Sequence, residues 1–187
     1  MRAVGIRDES NLDLLGHASE IDESAQNPSP FRLAEAGYRP VIAASKKSVV
    51  HDFDPDGNTY VEKPGYRIDA DIALSKVKGD DHIAMILIGG RAPEFLRYNR
   101  TLIKLVKDFD QKRKWIFSIC HGGQILAEAG VLKGRKMTCY INVRTEATAA
   151  GAKWINKQSI TDGNLVTAQT WESHADFYRD IFKCLKC

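Results

Sequence analysis

Trp115-Ile116-Phe117-Ser118-Ile119-Cys120-His121-Gly122-Gly123-Gln124-Ile125-Leu126-Ala127-Glu128-Ala129 is the stretch that decides the fold. Five mostly apolar residues run without a break into a cysteine and a histidine, two glycines follow, and then apolar residues recur at helical spacing. A short apolar run bounded by a turn reads as a buried strand, and Ile125, Leu126 and Ala129 read as one face of a helix. A strand that passes directly into a helix belongs to an α/β architecture. The turn between them projects its central side chain at the carboxyl edge of the sheet, in a sparsely populated backbone conformation. Open α/β sheets place their sites at that edge.

The same rhythm extends in both directions. Val41-Ile42-Ala43-Ala44, Ala84-Met85-Ile86-Leu87-Ile88, Lys136-Met137-Thr138-Cys139-Tyr140 and Asn164-Leu165-Val166-Thr167-Ala168 read as further strands. Helical spacing links Phe31, Leu33 and Ala34 up to a stop at Gly37. It also links Leu102, Ile103, Leu105, Val106 and Phe109, and near the end Phe177, Ile181 and Leu185. Alternation of this kind predicts a mostly parallel sheet with helices on both faces. The stretch from His51 to Arg67 breaks it, with Asp-Pro-Asp-Gly and Lys-Pro-Gly turn signals around Thr59-Tyr60-Val61, and predicts a β-hairpin insertion. At the amino end, Arg2 to Arg7 and Asn11 to Gly16 compete for the first strand. No repeat or linker interrupts the chain, so residues 1–187 are expected to form a single domain.

Composition narrows the function. The 187 residues are 43% hydrophobic and 27% charged, with a formal net charge of +3. That is the profile of a globular domain, and a charge this small does not suggest nucleic acid. No apolar run approaches the ~18 residues of a membrane span, and no signal peptide is evident, so a cytoplasmic location is expected. The four cysteines do not form a disulfide framework. Cys184 and Cys187, spaced as CLKC, end a helix rather than begin one, which is the wrong place for a redox pair. No metal site is expected, because two further ligands are missing there, and His51, Asp52 and Asp54 alternate faces on the predicted hairpin.

Cys120 is the candidate nucleophile. The start of the following helix favours a thiolate, successive backbone N–H groups can stabilise an oxyanion, and His121 supplies an imidazole next in sequence. The competing reading, an inert buried thiol, suits Cys139 better, because Cys139 lies within a strand pattern. His174, in Trp171-Glu172-Ser173-His174 at a helix start, is a weaker candidate for lining a pocket.

Four motifs in order carry a family resemblance. They are Gly89-Gly90-Arg91-Ala92-Pro93-Glu94, Ser118-Ile119-Cys120-His121-Gly122, Gly130-Val131-Leu132-Lys133-Gly134-Arg135-Lys136, and Ala150-Gly151-Ala152-Lys153-Trp154 with Thr161-Asp162-Gly163-Asn164-Leu165-Val166-Thr167. From about Pro30 onward the chain resembles the PfpI/ThiJ superfamily. Its members include PfpI-type intracellular proteases, the Parkinson-disease protein deglycase and glutathione-independent glyoxalases. The inserted hairpin is similar to the branch with plant glyoxalase members.

The resemblance implies a flavodoxin-like three-layer sandwich of the class I glutamine amidotransferase type, with Cys120 on its nucleophile elbow and His121 as base or proton shuttle. It implies that Glu94 orients His121, contributed from a neighbouring subunit; a carboxylate on an imidazole N–H fixes the tautomer. Read without it, Glu94 is a helix N-terminal carboxylate. The backbone N–H groups of Gly90 and His121 become the oxyanion donors. An acid beside the sulfur is implied too, and either Glu23 or Gln26 occupies that place; only Glu23 transfers a proton. No cofactor is implied, and self-association into a dimer or hexamer is.

The expected activity is conversion of a small 2-oxoaldehyde, methylglyoxal or glyoxal, to a 2-hydroxyacid, or release of a glycated adduct. A PfpI-type cysteine peptidase and a redox-sensing stress chaperone, with Cys120 oxidised to a sulfinic acid, are the alternatives.

Overall fold

A computed structural model describes residues 2–7, 29–44, 53–55, 60–62 and 70–186, with 2–7, 53–55 and 60–62 as backbone. Its residues group into two compact units, 1–86 with 90–92, and 87–89 with 93–187.

The first unit is built on a sheet of four strands. β1 (Arg2–Arg7) is followed by α1 (Ser29–Glu35), β2 (Arg39–Ala44), the hairpin pair β3 (Phe53–Pro55) and β4 (Tyr60–Glu62), β5 (Ile72–Ala73) and β6 (Ala84–Leu87), whose last residue opens the second unit. The order is β6-β1-β2-β5. β1 lies antiparallel to both neighbours, with Val4 opposite Ile42 and Ile86, and β2 lies parallel to β5. Three of the four strands therefore share a direction, and β1 runs against them.

Every residue of β6 is buried, as the unbroken apolar run requires of a strand covered on both faces. α1 stops at Gly37, where φ is +87°. The Gly37 N–H donates to the Ala34 carbonyl at 3.0 Å and the Tyr38 N–H to the Leu33 carbonyl at 2.9 Å. That paired closure is available to glycine without steric cost. The insertion is a hairpin as predicted, with Asp54 opposite Val61. Arg2–Arg7 is thus a strand, while the competing Asn11 to Gly16, like His51 and Asp52, lies outside the described residues.

The second unit contains α2 (Ala92–Leu96), apart from its first residue, and α3 (Arg100–Gln111), β7 (Trp115–Ile119), α4 (Gly123–Ala129), β8 (Lys136–Met137), α5 (Arg144–Ala149), β9 (Lys153–Trp154), β10 (Ser159–Asp162), β11 (Leu165–Ala168) and α6 (His174–Leu185). β7 and β11 run parallel with Phe117 opposite Val166, and β10 folds back antiparallel through Gly163, where φ is +61°. A glycine in the first position of a two-residue hairpin loop accommodates that backbone. β8 and β9 form a separate parallel pair.

Asn99 starts α3, its side-chain oxygen accepting from the Thr101 and Leu102 N–H groups at 3.0 and 3.1 Å. This satisfies two of the amides a helix start leaves orphaned. Leu102, Leu105, Val106 and Phe109 then form its buried face.

One strand is shorter than the sequence predicts. β8 stops at Met137 because the Thr138 N–H is taken by the Thr167 hydroxyl at 2.9 Å, and the chain then turns through Ile141–Val143. Cys139 is buried there, in a connecting segment rather than in a strand. Among the described residues no helix is long and apolar enough to cross a membrane.

Candidate active site

The strand-to-helix turn is strained where the sequence places the nucleophile. Cys120 has φ of +59°, and among the described residues Arg113 is the one other non-glycine with a positive value. A side chain in the left-handed region costs about 1–2 kcal/mol, and such strain persists only where the surroundings impose it. The chain passes from Ile119, in extended conformation, through a 3-10 turn at Cys120–Gly122 into α4.

Two glycines make room for the turn. A Cβ on Gly89 would stand 2.5 Å from Cβ of Cys120 and 3.0 Å from its Sγ. On Gly122 it would stand 2.3 Å from the Leu87 carbonyl oxygen and 2.7 Å from Oγ of Ser118. The small residues beside the cysteine are therefore the condition for close backbone approach, as expected.

His121 touches Cys120. Its Nδ1 lies 3.3 Å from Sγ of Cys120. The ring packs on Tyr140 with centroids 4.9 Å apart and planes tilted by 35°. Burial holds the imidazole below its ordinary pKa of 6.5, while the charges of Glu94 and then Glu146 push the other way. A neutral imidazole with a ring nitrogen at the sulfur is placed to take the thiol proton, and the two carboxylates favour the cation that results.

Glu94 stands half-buried in the first turn of α2. Within a single chain its charge already bears on His121. Glu146, on α5, accepts from Nη1 of Arg97 at 2.6 Å and from Nε2 of Gln124 at 3.1 Å. Neither Glu146 nor Tyr140 stands out in the sequence, since one is an acid in a short polar segment and the other is the last residue of a strand pattern. Only the tertiary fold brings them to the histidine.

The other candidates are distributed as follows. Gly90 has φ of +73°, which suits a glycine. His174 begins α6 with its ring 5.8 Å from that of Tyr178, and burial lowers its pKa. The Cys139 thiol is pushed up to about 12, chiefly by burial, which fits an inert packing role. Cys184 is half-buried in the last turn of α6 and Cys187 lies outside the described residues. Glu23 and Gln26, between which the acid beside the sulfur is to be chosen, also lie outside them. Among the described residues no group of histidines, cysteines and carboxylates is arranged to hold a metal ion.

A cysteine held in left-handed conformation between a buried strand and a helix, with a histidine on its sulfur, defines an α/β protein of the nucleophile-elbow class. Residues 23–184 match the DJ-1/PfpI family, and the chain belongs to it. It is 36% identical over 155 residues to deglycase PfpI of Pyrococcus furiosus, covering 83% of this chain and 87% of that protein. It is 40% identical over 142 residues to protein DJ-1 homolog D of Arabidopsis thaliana, covering 74% of this chain but only 36% of that longer protein. Among solved structures, a ThiJ/PfpI domain protein from Brachyspira murdochii superposes with a TM-score of 0.79 at 21% identity, covering 90% of this chain and 91% of that one. The shared α/β fold is the one the strand–helix alternation predicts.

Proposed function

We propose that the chain is a cysteine-dependent enzyme for reactive carbonyls, converting 2-oxoaldehydes such as methylglyoxal to 2-hydroxyacids without glutathione. The observation that carries this reading is the strained Cys120, with Nδ1 of His121 3.3 Å from its sulfur. The name deglycase, borne by the relative from Pyrococcus furiosus, supports it.

In the proposed reaction His121 takes the thiol proton, and the thiolate attacks the aldehyde carbon of methylglyoxal. A C–S bond forms, the carbonyl electrons move to oxygen, and that oxygen takes the proton to give a hemithioacetal. A proton then passes from the aldehyde carbon to the neighbouring carbon, and the hydroxyl proton of the hemithioacetal passes to the ketone oxygen. The first carbon is oxidised to a thioester as the second is reduced to a carbinol, so no outside oxidant is required. Water cleaves the thioester, releasing lactate and the free thiol. His121 serves the proton transfers, aided by the charge of Glu94, because an ideal shuttle holds its proton loosely near the working pH.

Incubating the purified protein with methylglyoxal, without glutathione, is expected to yield lactate. Cys120→Ala should reduce the rate at least about a thousandfold, as loss of a covalent nucleophile does. No lactate above the Cys120→Ala background overturns the carbonyl reading. Casein cleavage that depends on Cys120 points instead to the peptidase.

A further inference from the structure

We propose that the cleft between α3 and α4 binds a small organic phosphate, with Arg100, Lys104 and Lys107 holding its charge and Tyr98 and Ile103 carrying its carbon skeleton. The cleft is separate from the elbow, since neither Cys120, His121 nor Glu94 lines it. The proposal does not rest on the carbonyl reading.

α3 carries Arg100, Lys104 and Lys107 at positions i, i+4 and i+7, which a helix places along one stripe. All three border a cleft of about 570 Å³, a size usual for small-molecule sites. Like charges at this spacing weaken a helix unless an opposite charge offsets them. Elsewhere on its surface the protein supplies that offset itself. On α6 Arg179 pairs with Asp176 and Lys183 with Asp180, and on α1 Arg32 pairs with Glu35. The three cations of α3 have no side-chain partner among the described residues. Asp108, four residues beyond Lys104, forms no ion pair with it and does not line the cleft.

The remaining walls narrow the ligand. Tyr98 is 71% exposed and Ile103 is half-buried, so an aromatic and an aliphatic surface lie beside the charges. Arg97 also borders the cleft, with its guanidinium over the Tyr98 ring at 5.5 Å, but Glu146 accepts from its Nη1 and offsets its charge. The first amides of α3 are already engaged, because the Asn99 side chain accepts from Thr101 and Leu102. The positive field therefore comes from side chains. Glu128, on α4, brings one negative charge to the cleft. Three unpaired cations against one carboxylate leave a net charge of +2, which complements a phosphate monoester carrying about −1.5 to −2 at neutral pH. A long polyanion is disfavoured by Glu128 and by a whole-chain charge of only +3.

The test is a ¹⁵N–¹H NMR titration of the full chain with phenyl phosphate, which joins a dianion to a ring. The amides of residues 97–107 and 128 are expected to shift saturably, with millimolar affinity or better. Replacing both Arg100→Gln and Lys104→Gln should weaken binding at least about tenfold, since each change removes a charge-assisted contact. Glu128→Gln should tighten it, because the repelling charge is gone. Tyr98→Ala should weaken binding of phenyl phosphate and leave inorganic phosphate unaffected, which separates the ring contact from the charge contacts. The same spectra show whether each variant is folded.

No saturable shift up to about 10 mM, a decade weaker than millimolar affinity, overturns the proposal. So do shifts centred on Cys120 and His121, or an affinity unchanged in either the double variant or Glu128→Gln. Tighter binding of a single-stranded DNA oligonucleotide to the same residues overturns it too, and makes the face a nucleic-acid surface. The readout needs no turnover, so a protein that makes no lactate overturns the carbonyl reading and leaves the phosphate site standing.

Discussion

Cys120→Gly and Cys120→Ala are both expected to be inactive, with the glycine variant the more stable of the two by about 1 kcal/mol. The usual order at a strand or turn position is the reverse, because glycine gains more entropy on unfolding. It inverts here because φ at residue 120 is +59°, which a glycine adopts freely and an alanine pays for. Both variants lack the thiol, so its packing cancels in the comparison. Urea denaturation of the two variants measures the difference. An alanine variant as stable as the glycine variant would show that the elbow is not strained. Stability and activity therefore oppose one another at this residue, as they do wherever strain holds a reacting group in place.

Gly122→Ala is expected to cost about 3 kcal/mol, the upper range for forcing a methyl group into a packed site. The backbone of Gly122 is ordinary, with φ of −53°, so the cost is purely steric. The added Cβ would lie 2.3 Å from the Leu87 carbonyl oxygen and 3.0 Å from its carbonyl carbon. Backbone atoms at the end of a buried strand cannot yield as a flexible side chain does. Relief requires the elbow to move away from Leu87, so loss of turnover should accompany the loss of stability. Gly130 is the control for a different mechanism. A Cβ there meets nothing within 4 Å, but its φ of +69° still penalises alanine by the cost of the conformation alone. A fall of less than about 0.5 kcal/mol in Gly122→Ala, within the range of an ordinary surface change, would contradict the packing described.

Much of this was legible in the sequence, for identifiable reasons. Strands buried on both faces leave unbroken apolar runs, and Trp115 to Ile119 and Ala84 to Leu87 were readable on that ground. The elbow was readable because small residues directly after a strand end have no packing role, and Gly122 now shows what they permit. Gly89, which presses against Cys120 from a distant part of the chain, was readable as the end of a strand and the start of a family motif, but not as a neighbour of the sulfur. Local signals failed where a side chain from elsewhere intervened. The hydroxyl of Thr167 ends β8 early, and no pattern within Lys136 to Tyr140 encodes that partner. Glu146 was missed for the same reason, because its partners Arg97 and Gln124 are both remote from it in sequence.

Activation of Cys120 is measured by its alkylation rate with iodoacetamide as a function of pH. Peptide mapping assigns the label residue by residue. A Cys120 midpoint below the ~8.5 of an ordinary thiol is expected, with Cys139, whose pKa is pushed up to about 12, left unlabelled across the neutral range. A Cys120 midpoint at or above ~8.5, or equal labelling of Cys120 and Cys139, would contradict activation.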